Sequence, residues 1–409
     1  MFTKAPHGKR YGRGRQMPRT GSTSVARLFA LLAIFWANSG FGASPPDARH
    51  AAARIAVGRR IFFDGALSEP RGTSCASCHE PARAFSGDRN SGVGLASGSR
   101  PGVFARRNTP SLFYLKFVPK FRFYNEDDET HALGAEPYGG FFWDGRSDSI
   151  AELVKQPLLN PREMNNSDPA QLAAKLRRAQ YASELAAEFP NAFDTADSAL
   201  AALGTALEAF LTAPEMSPFS SKYDAYIRGS AKLSAREAEG LKLFKDRARV
   251  GCAKCHVLDD TSPVPERSMF TDYGYEAPGV PRNDKLRSRD DDRGLCERSD
   301  PLTPSNGEEW CVSFRTPSLR NVALRTSFMH NASFTKLRDV VSFYATRASN
   351  PERWYRNGIA FDDTPSAYRG LIDTTSPPYN RRTGDAPALT DSEIDAIVAF
   401  LGTLTDRKR

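Results

Sequence analysis

The chain has 409 residues, 40% of them hydrophobic and 25% charged, which suits two or three packed domains and excludes a disordered or fibrous chain. No apolar run reaches the roughly 20 residues that span a bilayer. The formal net charge of +8 includes seven Lys or Arg and no acid in residues 1–43, so the remainder carries only +1 and implies no nucleic-acid partner and no membrane surface.

Taken in chain order, the N-terminus reads as a signal peptide, residues 1–43. Arg19 and Arg27 precede the apolar run 28–37, and the small residues of "NSGFGAS" follow, with cleavage near Gly42 or Ala43. Met17 is an alternative start to Met1. Export places the mature chain in an oxidising compartment, yet its six Cys are too few for a disulfide scaffold of this size.

Four of those Cys fall in "CASCH" (Cys75, Cys78, His79) and "CAKCH" (Cys252, Cys255, His256). C-x-x-C-H is the attachment pattern of haem c: two thiols reach the two vinyl groups of a porphyrin, and the adjoining His becomes the proximal ligand. A zinc knuckle or a redox dithiol uses the same spacing, but two copies in an exported chain favour two haems. The flanks repeat as well. "GRRIFFDGALSEPRGTSCASCHEP" from Gly58 parallels "GLKLFKDRARVGCAKCH" from Gly240, so two one-haem domains, residues 44–225 and 226–409, arise by internal duplication.

Helical spacing dominates 168–212. Ser234 with Glu237 and Thr390 with Glu393 form capping boxes ahead of apolar stripes. No run of alternating strands occurs, so the expected class is mainly α, two cytochrome c-like domains with long ligand-bearing loops. Cys296 and Cys311 bracket the polar loop "ERSDPLTPSNGEEW"; in an oxidising compartment a disulfide closing it is favoured over two unpaired thiols and would contribute at most about 3 kcal/mol.

The ligand census decides between an electron carrier and an enzyme. His7 leaves with the signal, His50 is expected before the first helix, and His131 lies in the polar loop "NEDDETHALGAEPYGG". No His or Met lies between His79 and His131, so the first haem lacks an evident strong sixth ligand, as peroxide activation requires. In "TSFMHNASFTKLRDVVSFYATR", Leu337, Val340, Val341 and Tyr344 share one helix face; by itself Tyr344 reads equally as a core tyrosine.

The segments "RNTPSLFYLKFVPKFRF", "GGFFWDGRSDSIAELVKQPLLNPREM" and "FRTPSLRNVALRTSFMHNASF" resemble the bacterial dihaem cytochrome c peroxidases and their MauG-like relatives. The resemblance implies Pro157 and Glu163 in the distal pocket of a peroxide-reacting N-terminal haem, with Glu163 as the acid–base group. It places Leu153 where the family usually has Gln, and Trp143 as an electron stepping stone between the haems. It implies a calcium between the haems, held by the Asn108 side chain and the carbonyls of Arg325 and Ser327. It makes Tyr344, fourteen residues beyond His330, the sixth ligand of the C-terminal haem, where conventional members have Met. That leaves Met329 without a ligand role and His330 beside the haem region. The stretches "YATRASNPERWYRNGIAFDD" and "YRGLIDTTSPPYNRRTGDAPALT" are similar to the methanobactin-associated branch. The implied function is a periplasmic, hydrogen peroxide-dependent enzyme oxidising an aromatic residue of a partner protein. The alternatives are a conventional peroxidase fed by a small cytochrome or copper protein, and a dihaem electron carrier.

Overall fold

The structure, a computed structural model, describes residues 46–124, 136–286, 291–298 and 308–407; the signal peptide and His131 lie outside them. Among these residues twelve α-helices occur: α1 Pro46–Phe62, α2 Cys75–Cys78, α3 Ile150–Leu153, α4 Lys155–Leu159, α5 Pro169–Arg177, α6 Ala182–Glu188, α7 Ala196–Leu211, α8 Lys222–Ile227, α9 Ala235–Lys245, α10 Cys252–Cys255, α11 Leu337–Thr346 and α12 Asp391–Gly402. The strands are short: β1 Arg122–Tyr124 pairs antiparallel with β2 Glu136–Tyr138, and β3 Tyr275–Glu276 with β4 Phe314–Arg315. The mainly helical, two-unit cytochrome c class follows. Both expected capping boxes form: Glu237 returns to the Ser234 N–H and Glu393 to the Thr390 N–H. His50 departs from expectation. It lies inside α1, which starts earlier than its apolar stripe, and its Nδ1 meets Glu188 at 3.0 Å.

Among the described residues the two largest apolar cores are one built from Val57 to Met216 and another from Tyr223 to Leu404. They are built alike. In the first, α1 crosses α7 where Gly58 faces the Ala206 carbonyl; in the second, α9 crosses α12 where Gly240 faces the Ala396 carbonyl. One turn on from these crossings, Phe62, Phe210 and Phe85 form a triad with ring centroids 5.3–6.4 Å apart. Phe244, Phe400 and Phe270 repeat it at 5.3–6.2 Å. The missing side chain lets two helix backbones approach, and the aromatic rings fill the wedge beside the contact.

The halves are sewn together by buried polar groups. The Tyr114 hydroxyl donates to Asp406 at 2.6 Å and Asn321 Nδ2 donates to the same carboxylate at 2.7 Å. Arg320 pairs with Asp224 at 3.0 Å, both fully buried, and lies over the Tyr114 and Phe219 rings. Arg107 reaches Asp292 at 2.6 Å, which fixes the segment carrying Cys296; the Cys296–Cys311 disulfide is formed.

A methyl group at Gly240 would overlap the Ala396 carbonyl. Gly240→Ala is expected to cost ~3 kcal/mol or more, seen as a lowered Tm by far-ultraviolet circular dichroism. Gly402→Ala, on α12 but with open space around it, is expected to be neutral or stabilising by up to ~1 kcal/mol.

Candidate functional site

The haem motifs form single helical turns, so the two thiols of each share one side while the His follows at the C-cap. The backbone N–H of His79 bonds the Cys75 carbonyl at 2.8 Å, and that of His256 bonds Cys252 at 2.9 Å. Each imidazole is then aimed by a carbonyl: His79 Nδ1 donates to Phe85 O and His256 Nδ1 to Phe270 O, both at 2.9 Å. Phe85 and Phe270 adopt φ of 53° and 54°, a left-handed conformation that costs a phenylalanine about 1–3 kcal/mol. The Ser111 and Ser318 hydroxyls donate at 2.6 Å to the carbonyls just ahead, Ala84 and Met269, holding both turns. Burial pushes both imidazole pKa values down to about 4. Both rings are therefore neutral near pH 7 with Nδ1 as donor, which leaves Nε2 free to bind a metal.

A cavity of about 460 Å³ opens against His256 and the Cys252–Cys255 pair, and its walls include Trp143 and Arg325. Leu337, Val340, Val341 and Tyr344 of α11 all line it, as their spacing predicts. Tyr344 stacks on Tyr379 with centroids 5.9 Å apart, and the Arg347 guanidinium lies 3.6 Å from the Tyr379 centroid. Burial raises the Tyr344 phenol above its ordinary range, the nearby thiols add to this, and a hydrogen bond from Tyr379 opposes it. Two cavity-lining guanidinia, Arg315 and Arg325, have no carboxylate within ion-pair distance among the described residues. Burial lowers both pKa values, Arg325 to about 10. Paired thiols, a directed neutral imidazole, a void and unmatched positive charge fit a haem with its two propionates.

On the other side, Pro157 sits in α4 and its carbonyl accepts from the Met164 N–H at 3.1 Å, tying the turn that carries Glu163. Asn160 Nδ2 donates to Glu163 Oε1 at 2.7 Å. Burial raises the Glu163 pKa, with Arg146 and Asn160 opposing. The carboxylate acts electrostatically on Cys75 and Cys78, so it lies on the side of the first motif. Leu153 is 7% exposed and packs in the first core. The polar group nearby is Arg146, whose Nε donates to Gln156 Oε1 at 2.9 Å and whose Nη1 meets Asp144 at 2.9 Å.

Trp143 lies on the seam between halves. Its Nε1 donates to Asn108 O at 2.7 Å, and its carbonyl accepts from the Arg315 N–H at 2.8 Å. Beside it, His330 stacks on Phe314 with ring centroids 3.5 Å apart, meets the indole in a T-shaped arrangement with centroids 6.5 Å apart, and faces Asp363 through Nε2 at 3.6 Å. The Asn108 N–H donates to the His330 carbonyl at 2.7 Å, and Asn108 Nδ2 to that of Met329 at 3.0 Å. Asn108 and Ser327 are adjacent: the Ser327 hydroxyl is 3.1 Å from Asn108 Oδ1 and 2.7 Å from Gly94 O. The Arg325 side chain folds back onto the same group, with Nε 3.3 Å from the Ser327 carbonyl and an Nη 3.0 Å from that of Thr109.

The reading of the sequence missed Tyr379, Arg146 and Gln156. Tyr379 lies 35 positions beyond Tyr344 in a coil after Pro377 and Pro378, and no periodicity joins the two. The signal for the serine clamps was present and unused: "TPSL" occurs at both 109–112 and 316–319.

The family profile described as di-haem cytochrome c peroxidase matches residues 52–232. The methylamine utilization protein MauG of Paracoccus denitrificans is 35% identical over 377 residues, covering 87% of this chain and 89% of its own. The diheme peroxidase BthA of Burkholderia thailandensis E264 superposes with a TM-score of 0.82 at 46% identity, covering 88% of this chain and 87% of its own. A MauG-like protein associated with microbial copper homeostasis superposes less closely, at 0.60 and 25% identity over 87% of this chain and 89% of its own.

Because its folded pKa is raised, Glu163 contributes stability that is whole below the ordinary carboxylate range and lost as pH rises through the raised value. Glu163→Gln is therefore expected to gain in Tm relative to the native protein as pH rises above the ordinary carboxylate range. A Tm difference that does not change with pH would mean an ordinary, solvated carboxylate.

Proposed function

Because this chain belongs to the di-haem cytochrome c peroxidase family, which includes MauG, and is a haem-dependent oxidoreductase acting on hydrogen peroxide, we propose that it withdraws electrons from an aromatic residue of a partner protein by long-range transfer. The observation that carries this reading is Tyr344, a phenol on α11 that faces the same cavity as His256, Cys252 and Cys255. A phenolate is a hard, anionic donor that favours the oxidised metal, whereas a thioether favours the reduced one. In this reading the half 226–409 holds an oxidising equivalent, and the half 44–225 reacts with peroxide.

When bound, the haem of the N-terminal half supplies the iron at which the O–O bond opens. Glu163 holds and moves the proton between the two peroxide oxygens; its raised pKa keeps that proton available nearer neutrality, and Asn160 fixes the orientation of Oε1. Pro157 keeps that turn in place. Leu153 supplies no polar contact, so Arg146, braced by Gln156 and Asp144, is the group that orients peroxide. Trp143, hydrogen-bonded to one half and bonded through its carbonyl to the other, carries electrons between them. Reduction of peroxide to two waters takes two electrons and two protons; the partner residue supplies the electrons. Tryptophan is the first candidate for that residue, from the likeness of the segment after Tyr344 to the copper-associated branch, and the compartment is the periplasm.

A second reading has its own support. BthA is described as a diheme peroxidase, and turnover of peroxide with electrons from a small cytochrome or copper protein needs no modified partner.

The ferric holoprotein is expected to show one five-coordinate high-spin haem and one low-spin haem, and stoichiometric peroxide is expected to give a long-lived oxidised state. Tyr344→Phe is expected to abolish that state, and Glu163→Gln to slow the peroxide reaction about 100- to 10,000-fold. A requirement for prior one-electron reduction would select the second reading. A low-spin spectrum unchanged in Tyr344→Phe would sink the ligand assignment.

A further inference from the structure

We infer that the guanidinium of Arg325 takes the place and the charge of the calcium ion that relatives are expected to hold between their halves, so that this chain binds none. The residues that would hold the ion do converge. Asn108 Oδ1 lies 3.1 Å from the Ser327 hydroxyl, and the Ser327 carbonyl belongs to the same turn as Arg325. Two of these oxygens are already engaged by donor groups, Asn108 Oδ1 by the Ser327 hydroxyl and the Ser327 carbonyl by Arg325. Arg325 Nε sits 3.3 Å from the Ser327 carbonyl, one of the three expected ligands, and an Arg325 Nη donates to Thr109 O at 3.0 Å. The remaining donor, Asn108, has its amide nitrogen turned to Met329 O at 3.0 Å.

The charge balance excludes both cations together. Calcium sites take several oxygen ligands, with carboxylates usually among them. Among the described residues no group of three or more acid, His or Cys side chains exists that could hold a metal, and no carboxylate pairs with Arg325. A dication here would be placed against a fixed, largely desolvated guanidinium that no protein carboxylate among the described residues pairs with. One cation suffices to satisfy the carbonyls, and it is covalently attached. The same guanidinium lines the cavity against His256 and Trp143, so it also presents positive charge to the carboxylates that a haem brings.

The test uses the purified holoenzyme. Metal content by plasma emission and calorimetric titration with Ca²⁺ are expected to show no stoichiometric calcium and no binding heat. Treatment with EGTA is expected to leave Tm and the haem absorption spectrum unchanged. Arg325→Thr is expected to lower Tm by a few degrees and to recover on addition of Ca²⁺, because the vacated carbonyls then accept an ion. Arg325→Lys keeps the charge and is expected to remain indifferent to Ca²⁺; it serves as the informative variant if Arg325→Thr fails to fold. One calcium per native chain whose removal shifts Tm or the spectrum overturns the inference. So does an Arg325→Thr protein indistinguishable from the native one with and without Ca²⁺, or an Arg325→Lys protein that binds the ion.

Discussion

Everything chemical in this protein depends on two hydrogen bonds, from His79 Nδ1 to the Phe85 carbonyl and from His256 Nδ1 to the Phe270 carbonyl. Each fixes a tautomer and a ring direction, so that Nε2 points where a metal can use it. Each is held by the same device: a phenylalanine bent into the left-handed region, with a serine hydroxyl on the carbonyl before it. The phenylalanine that bears the strained backbone also contributes its ring to the triad beside the helix crossing. Core packing thus holds in place the strain that aims the imidazole.

The two halves do not repeat beyond that frame, and their asymmetry divides the labour. One half sets Glu163 near its motif, a buried carboxyl with a raised pKa that Asn160 and Arg146 oppose. The other surrounds its motif with Tyr344, Tyr379 and Arg347, a phenol stack under a cation. Between them, Trp143 is tied by its indole to the Asn108 carbonyl and by its backbone to Arg315. Reorientation of that ring would break a bond at 2.7 Å in a poorly solvated seam, a loss of about 1–3 kcal/mol.

Local chemistry was legible in the sequence, and distant juxtaposition was not. Motif spacing gave the haem sites, capping boxes gave the starts of α9 and α12, and periodicity gave the lining face of α11, because each depends on residues within a few positions. Tyr379 and Arg146 reach their sites through tertiary packing of coil segments, which leaves no periodic trace. Asn108, Arg325 and Ser327 meet through tertiary packing as well, and the Arg325 side chain bonds the Ser327 carbonyl, a contact that reading both positions as backbone alone leaves out.

The cation over Tyr379 has an electrical meaning. A positive charge 3.6 Å from the ring centre opposes removal of an electron from that ring, which raises its oxidation potential relative to its neighbour. Tyr379 therefore braces Tyr344 by stacking and hydrogen bonding while its own ring is the harder of the two to oxidise. A positive hole that reached this stacked pair would settle on the Tyr344 ring in preference to the Tyr379 ring.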